Sequence, residues 1–502
     1  MKAVLIHYHL GAGGVTRVLR SHVQALHGHV DEIAVLHGGN DDHWKGPDDV
    51  RVVPVDGLGY DPPTVSRTNL KVLAQTLRQT LQDLGFTRGE TVLHVHNHGL
   101  GKNLSVPGAL HELAEEGWAI VLHTHDFAED FRPKNYQRQL AEMPSALDLP
   151  RQLYASAPHV HHALLNRRDW NVLAAAGVPA ERIHLLPNPV EPPAANDAPG
   201  PAKQQAAAAL GFNPEKCLLL YPVRGIRRKN VGEVLLWAAL LGERCHAVVT
   251  LPPENPVEKP SFERWQRLAA DLNLPLSFGL NGLPFGTALT ACDRVLTTSV
   301  AEGFGLAFLE PWLLRRALTG RDLPEITADF RKEGLDLDGL QPRLDIPLDQ
   351  VGAARYREAF DAAFAKAAGT YGSPPSSSGA DAHIRHHAGL ETVDFAALTP
   401  DLQAEVITET TKNPRLRTEI LDANPALPGT VDKKAVDRER ALLEANAEIV
   451  RERYSLASCR ERLLRIYRAV GQERGDLTPP SRPSAVLESF LDPARFHPIR
   501  TA

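Results

Sequence analysis

Glu302-Gly303-Phe304-Gly305-Leu306-Ala307-Phe308-Leu309-Glu310 follows directly on the apolar segment Asp293-Arg294-Val295-Leu296-Thr297-Thr298-Ser299. That order reads as a buried strand, a glycine turn and a helix. A glycine turn lets backbone approach a ligand closely, and a helix N-terminus offers free N–H groups and a positive dipole end to a phosphate. Glu302 is expected in the turn and Glu310 more than a turn into the helix. The two carboxylates can then accept hydroxyl hydrogen bonds at two places around one bound diphosphate. A nucleotide-sugar has that chemistry: a sugar, two phosphates and a ribose.

Three further motifs stand in order upstream and downstream. Leu185-Leu186-Pro187-Asn188-Pro189-Val190 is a proline-bounded turn. Tyr221-Pro222-Val223-Arg224-Gly225-Ile226-Arg227-Arg228-Lys229-Asn230 puts cations at a strand end, and Asp322-Leu323-Pro324-Glu325-Ile326 opens another helix. Together with the two glutamates they resemble the E-x7-E glycosyltransferases of the retaining GT-B class, the family 4-like enzymes. In that family a Pro-Asn-Gly-Val turn stands where Pro189 here replaces the glycine, and a Gly-x-Pro-Glu turn stands where Asp322–Glu325 lies.

The resemblance implies an α/β protein of GT-B fold, with two Rossmann-like parallel-sheet domains facing each other across a cleft. It implies a hexosyl transfer from a nucleoside-diphosphate sugar (UDP-, GDP- or ADP-linked) to a hydroxyl acceptor. Arg224, Lys229 and the turn Gly303, Phe304, Gly305 would bind the diphosphate, with Arg227 and Arg228 competing for the cationic roles. Glu310 would take the ribose hydroxyls and Glu302 the sugar hydroxyls, and Asn188 belongs to the donor-binding set. From the first domain Gly13, Gly14 and His123 would face the acceptor and the reacting carbon, with His125 and Asp126 as rivals to His123. The family needs neither metal nor other cofactor. A sugar-nucleotide epimerase, a phosphorylase (which would need pyridoxal phosphate) and a non-catalytic nucleotide-sugar-binding subunit are the alternatives.

The residues alone support the same architecture. A chain of 502 residues suggests two or more domains. Strands are expected at Ala3–His7, Glu32–Leu36, Val92–Val95, Ile120–His123 and Val160–Leu165, and helices at Val15–Leu26, Leu70–Leu84 and Asn103–Glu116. Such alternation implies βαβ units and a parallel sheet covered on both faces. A proline- and alanine-rich linker, Glu191–Pro201, follows. The pattern then restarts with strands at Cys217–Pro222, Ala247–Leu251, Leu276–Phe278 and Arg294–Thr298. The expected domains are residues 1–190, residues 203–470 with an insertion at 328–440, and a segment 471–502 that packs back on the first domain. Ser373–Gly379 is a low-complexity break inside the insertion.

The net charge of −6 argues against nucleic acid or an anionic membrane as partner, since both need a positive surface. Cys217, Cys245, Cys292 and Cys459 are far apart and form no C-x-x-C pair, so neither a disulfide framework nor a cysteine zinc site is expected. The first apolar run is too short for a signal peptide, and no run approaches the roughly 20 apolar residues of a membrane span. A cytoplasmic protein with a small, soluble acceptor is expected; the oligomeric state is not legible.

The glycine loop His9-Leu10-Gly11-Ala12-Gly13-Gly14 follows the first strand but is not G-x-G-x-x-G, which disfavours a nicotinamide cofactor. His94-Val95-His96-Asn97-His98 and His123-Thr124-His125-Asp126 end two strands. Alternate residues share a strand face, so both sets imitate metal ligands, but no third ligand-bearing element is specified and no metal is expected. Asp336-Leu337-Asp338 has a D-x-D form outside the expected donor pocket. Asp381, His383, His386 and His387 read as polar surface.

Overall fold

The computed structural model describes residues 1–62, 69–192, 199–372, 391–432, 439–471 and 473–501. The sequence motifs at Ser373–Gly379 and at Asp381, His383, His386 and His387 lie outside these residues. The chain forms two units, Met1–Pro189 with Tyr454–Phe490, and Val190–Arg453 with Leu491–Ala502.

The first unit is built on a parallel sheet of seven strands: β1 (Lys2–His7), β2 (Glu32–His37), β3 (Arg51–Pro54), β4 (Thr91–His96), β5 (Ala119–Thr124), β6 (Val160–Leu164) and β7 (Ile183–Leu185). Their spatial order is β3-β2-β1-β4-β5-β6-β7. Strands β4 and β5 are buried at every residue, as both-face coverage requires. The order reverses between β1 and β4, and ligands in such sheets bind beyond the carboxyl ends of the strands at that switch. β3 and β7 were not expected. β3 is a short edge strand that opens with Arg51, closes with Pro54 and is only partly buried, so it carries no apolar run. β7 has three residues.

On one face of this sheet the helix Leu456–Val470 buries Cys459, Leu463, Ile466, Tyr467 and Val470, beside Leu19 and Val23 of the helix Gly14–Leu26. This corrects the expected C-terminal boundary. The return to the first unit begins at Tyr454, not at residue 471, because that apolar helix stripe needs the sheet. Residues from Leu491 onward belong to the second unit, where Phe496 packs edge-on against Phe360 and Phe364.

The second unit repeats the parallel design with β8 (Cys217–Arg224), β9 (Cys245–Leu251), β10 (Leu276–Phe278), β11 (Arg294–Thr297), β12 (Ala317–Arg321) and β13 (Leu340–Gln341), in the order β10-β9-β8-β11-β12-β13. Its switch point lies between β8 and β11. The stretch 328–440, expected as an insertion, is knit into this unit wherever it is described. It contributes the antiparallel pair β14 (Asp345–Pro347) and β15 (Thr392–Asp394). Its helix Pro400–Lys412 inserts Gln403, which donates to Asn230 Oδ1 at 3.2 Å and to Phe395 O at 3.1 Å. Gly232 permits that approach, since a Cβ there would lie 2.6 Å from Gln403 Oε1. Arg321, at the end of β12, is buried between Glu233 (2.7 Å) and Asp394 (2.8 Å), so β15 is anchored through a shared guanidinium.

All four cysteines are buried thiols. No helix among the described residues is long and apolar enough to cross a membrane.

Gly320 in β12 has φ of +111°, and a Cβ there would fall 2.1 Å from the Thr297 carbonyl of β11. Gly320→Ala therefore meets both a disfavoured backbone conformation and a backbone clash, and should destabilise the protein by more than about 2 kcal/mol. A urea denaturation midpoint unchanged from that of the natural protein would show that β11 and β12 yield at this point.

Candidate active site

The site of the second unit starts from two strand ends. β8 runs out at Arg224, and the chain makes a 3-10 turn at Arg227–Lys229. It then passes Asn230 in the left-handed region (φ 46°) and enters the helix Val231–Leu241. β11 runs out at Thr297 beside it. Hydroxyls stitch the two loops together: Thr298 Oγ1 donates to Lys229 O at 2.8 Å and Tyr221 Oη to the same carbonyl at 3.2 Å. Tyr221 Oη and Ser299 Oγ are 2.6 Å apart, and Val300 N donates to Arg228 O at 2.9 Å. Five residues after the end of β11, the chain has brought Glu302 back over the 3-10 turn.

Glu302 is 7% exposed. One carboxylate oxygen accepts from Lys229 Nζ and the other from Arg228 at 2.8 Å, while Arg228 also donates to Ala301 O at 3.0 Å. Burial by itself would push the Glu302 carboxyl up. The opposing charges of Lys229 and Arg228 outweigh it and hold the group at about 2, so it is ionised at neutral pH. Lys229 is buried too, and the same carboxylate sustains its charge. The result is a triad of one anion and two cations with a net positive charge at a strand-end switch point.

The turn after Glu302 differs from expectation in one respect. Gly305 adopts φ of +91°, and a Cβ there would meet Phe308 at 2.8 Å and Ile326 at 3.1 Å, so only glycine fits. Phe304 is buried and meets Phe330 edge-on at 5.7 Å. No long helix begins at Gly305. A 3-10 turn, Leu306–Phe308, comes first, and Glu310 opens a four-residue helix, Glu310–Leu313, rather than lying more than a turn inside one. Pro311 explains the break, since proline is accommodated in a first turn and not within a helix. Downstream, Pro324 likewise stands at the start of the helix Pro324–Lys332, and Asp322 is buried, accepting from Thr327 Oγ1 at 2.6 Å.

The remaining sequence-derived residues are dispersed. Arg224 is 45% exposed in its side chain and pairs with Glu254 at 2.7 Å. Arg227 pairs with Glu258 at 3.1 Å. Of the four basic residues, Arg228 and Lys229 are the two that reach Glu302; the family resemblance had paired Arg224 with Lys229, with Arg227 and Arg228 as rivals. Asn188 is 6% exposed, and its Oδ1 has no hydrogen-bond partner among the described residues. Asp336 and Asp338 form a local turn in which Asp338 N donates to Asp336 Oδ1. In the first unit, Gly13 and Gly14 are exposed at the start of the helix Gly14–Leu26, with open space where a Cβ would stand. His123 is fully buried, whereas the Asp126 side chain is 33% exposed and pairs with Arg132 at 2.5 Å. Tyr221 and Ser299, which shape the turn under Lys229, were not singled out from sequence; inside an apolar strand and at its end, their hydroxyls carry no pattern.

No family model matches the chain. It is 28% identical over 358 residues to a mannosylglucosyl-3-phosphoglycerate synthase of Petrotoga mobilis; the match spans 65% of this chain and 66% of that relative, just short of two thirds of its length. The fold is similar to that of sucrose-phosphate synthase from Thermosynechococcus elongatus, with a TM-score of 0.53 and 13% identity over 93% of this chain and 98% of that one. It is similar to Anabaena HepE, solved in complex with UDP and glucose, at a TM-score of 0.52 and 12% identity, again over 93% and 98%. The fold is the GT-B fold of glycosyltransferases, as the motifs implied.

The ionisation of Glu302 has a measurable consequence. Its folded value, about 2, lies below its ordinary value of 4.5, so the stability it contributes is fully present above the ordinary value. That stability is lost as pH falls toward the folded one. Between about pH 5 and about pH 3 the natural protein should lose more stability than Glu302→Gln, because the glutamine has no proton to take up. Denaturation midpoints at the two pH values provide the comparison, and equal losses in both proteins would remove Glu302 from the charged triad.

Proposed function

We propose that the chain is a retaining glycosyltransferase that moves a sugar from a nucleoside-diphosphate sugar to a hydroxyl acceptor. The observation that carries this reading is Glu302 held between Lys229 and Arg228 at the switch point of a GT-B-type sheet. The two cations are positioned to stabilise a diphosphate as it departs, and stabilising developing charge is often the largest catalytic contribution. Glu302 keeps both cations in place and can accept hydroxyl hydrogen bonds from the sugar. The turn Gly303–Gly305 and Glu310 offer the remaining contacts, to phosphate and ribose.

In this reading the bond between the anomeric carbon and the phosphate oxygen breaks, and its electron pair leaves with the diphosphate. The acceptor oxygen forms its bond to the same carbon from the same face. Its proton passes to the departing phosphate oxygen, so no protein nucleophile is needed. The cations replace a metal at the diphosphate, and no metal is required for transfer. The acceptor is a small soluble hydroxyl compound and the protein works in the cytoplasm. The Petrotoga relative's name makes a glucosylated 3-phosphoglycerate the first acceptor to try.

The test is nucleotide release from UDP-glucose, GDP-mannose and ADP-glucose, with EDTA present, with and without an acceptor panel. Acceptor-dependent release from one of them is expected. Release or isomerisation without acceptor would point to a hydrolase or epimerase, and binding without turnover to a non-catalytic subunit; either result overturns the proposal.

Variants locate the chemistry. Lys229→Ala and Arg228→Ala should each lower kcat by about a hundredfold or more, since both cations touch Glu302. Arg224→Ala should do much less. Steady-state kinetics in which Arg224→Ala is the most damaged of the three would show that the diphosphate lies nearer Glu254 than Glu302.

A further inference from the structure

The first unit holds a second constellation, unrelated to the charged triad. His94 and His96 lie on one face of β4. His123 of β5 pairs in register with His96, which places its ring on the same face. The helix Gly14–Leu26 lays His22 across them. All four are buried, with exposures of 0 to 1%, and one ring nitrogen from each lies within 4.8 Å of those of the others. The sequence offered two strand ends with histidines; the helix supplies the third element that spacing could not show.

Four imidazoles in a protein interior need an explanation, because each carries a polar nitrogen that burial leaves costly when unpaired. Both ring nitrogens of His22, Nε2 of His96 and Nε2 of His123 have no hydrogen-bond partner among the described residues. The bonds that do exist assign the lone pairs. His94 Nδ1 lies 2.8 Å from Tyr467 Oη, His94 Nε2 lies 3.1 Å from His123 Nδ1, and His96 Nδ1 lies 2.9 Å from His125 Nε2. With a proton on Nδ1 of His94, His96 and His123, each Nδ1–H has an acceptor: Tyr467, His125 and His94 in turn. That tautomer assignment leaves lone pairs on His96 Nε2 and His123 Nε2, beside the unpaired His22. An outer partner that holds the Nδ1 proton, leaving Nε2 to ligate, is the usual arrangement around a metal-bound histidine. Burial also lowers all four imidazoles below their ordinary value, His94 to about 3, so they are neutral, as ligands must be.

We propose that His22, His96 and His123, with His94 as the partner that orients His123, bind one divalent transition-metal ion in the first unit. A set of neutral imidazoles suits Zn²⁺, Co²⁺, Ni²⁺ or Cu²⁺ and not Mg²⁺ or Ca²⁺, which require oxygen ligands. The ion ties the helix after β1 to β4 and β5 at the sheet's switch point, beneath the glycine loop. Its role is to hold that loop's supporting helix, and the transfer chemistry needs no metal at the diphosphate for this to be so.

The experiment uses the full chain, stripped with a chelator and titrated with Co²⁺ and then Zn²⁺. One Co²⁺ per chain is expected, with visible d–d absorption that Zn²⁺ abolishes, and a higher melting temperature in Zn²⁺ than in EDTA. The chain has 22 histidines, so the assignment rests on variants. His22→Gln and His96→Gln should weaken Co²⁺ binding by about a hundredfold or more, and Tyr467→Phe, which removes an outer-shell partner, by about tenfold. His111→Gln, at a half-buried helix position where the ring lies 3.5 Å from Glu115, should change nothing. Circular dichroism and a cooperative melt establish that each variant is folded. The proposal is overturned if the folded natural protein takes up no stoichiometric Co²⁺ or Zn²⁺, or if His22→Gln and His96→Gln bind it as the natural protein does.

Discussion

Glu302 is a carboxylate taken almost wholly out of water, and such a group stays ionised only while cations stay with it. Lys229 and Arg228 provide them from a turn that follows a different strand. The dependence is mutual. Lys229 is buried as well, and without Glu302 its charge would have no counter-ion. The loops after β8 and β11 are therefore locked to one another by electrostatics as well as by the hydroxyls of Tyr221 and Thr298. A preorganised positive site results, at the place where α/β sheets bind ligands.

The rest of the second unit serves to keep that turn in place. The helix Val231–Leu241, which follows Asn230, is buried along its whole length. One side is closed by Gln403 and Trp265, which press on Gly232. Its Glu233 joins Arg321 and Asp394 in a second buried ion cluster. Burial pushes Glu233 up to about 7, with Arg321 opposing, while Asp394 stays near 2 despite its burial because Arg321 faces it. The two clusters are joined through three residues of one helix entrance, Lys229, Asn230 and Glu233. Residues distant in sequence, in the stretch 328–440, thus support the turn that carries the candidate chemistry.

The first unit handles burial by the opposite means. Its histidines are neutral, and the sheet face they share would hold unpaired nitrogens if nothing met them. A carboxylate–cation triad and an imidazole cluster are two solutions to the same cost of polar atoms in an interior. One resolves it with charge inside the chain, the other with an ion from outside.

The amino-acid sequence by itself determined the alternating strands and helices, the restart after residue 190 and the glycine turn at Gly303–Gly305, because periodicity and glycine chemistry are local properties. The GT-B architecture was legible through the resemblance of four motifs to a known family, not through periodicity. The sequence also singled out Glu302 and the basic cluster Arg224–Lys229. It did not determine which cations of that cluster meet Glu302, since Arg224, Arg227, Arg228 and Lys229 differ only in where a 3-10 turn and a left-handed Asn230 point them. Nor did it show the entry of Gln403 into the second unit's core, or His22 above His94, His96 and His123. Each of these joins residues from separate elements. Their proximity comes from sheet order and from helices packing on sheet faces, and tertiary packing alone decides it.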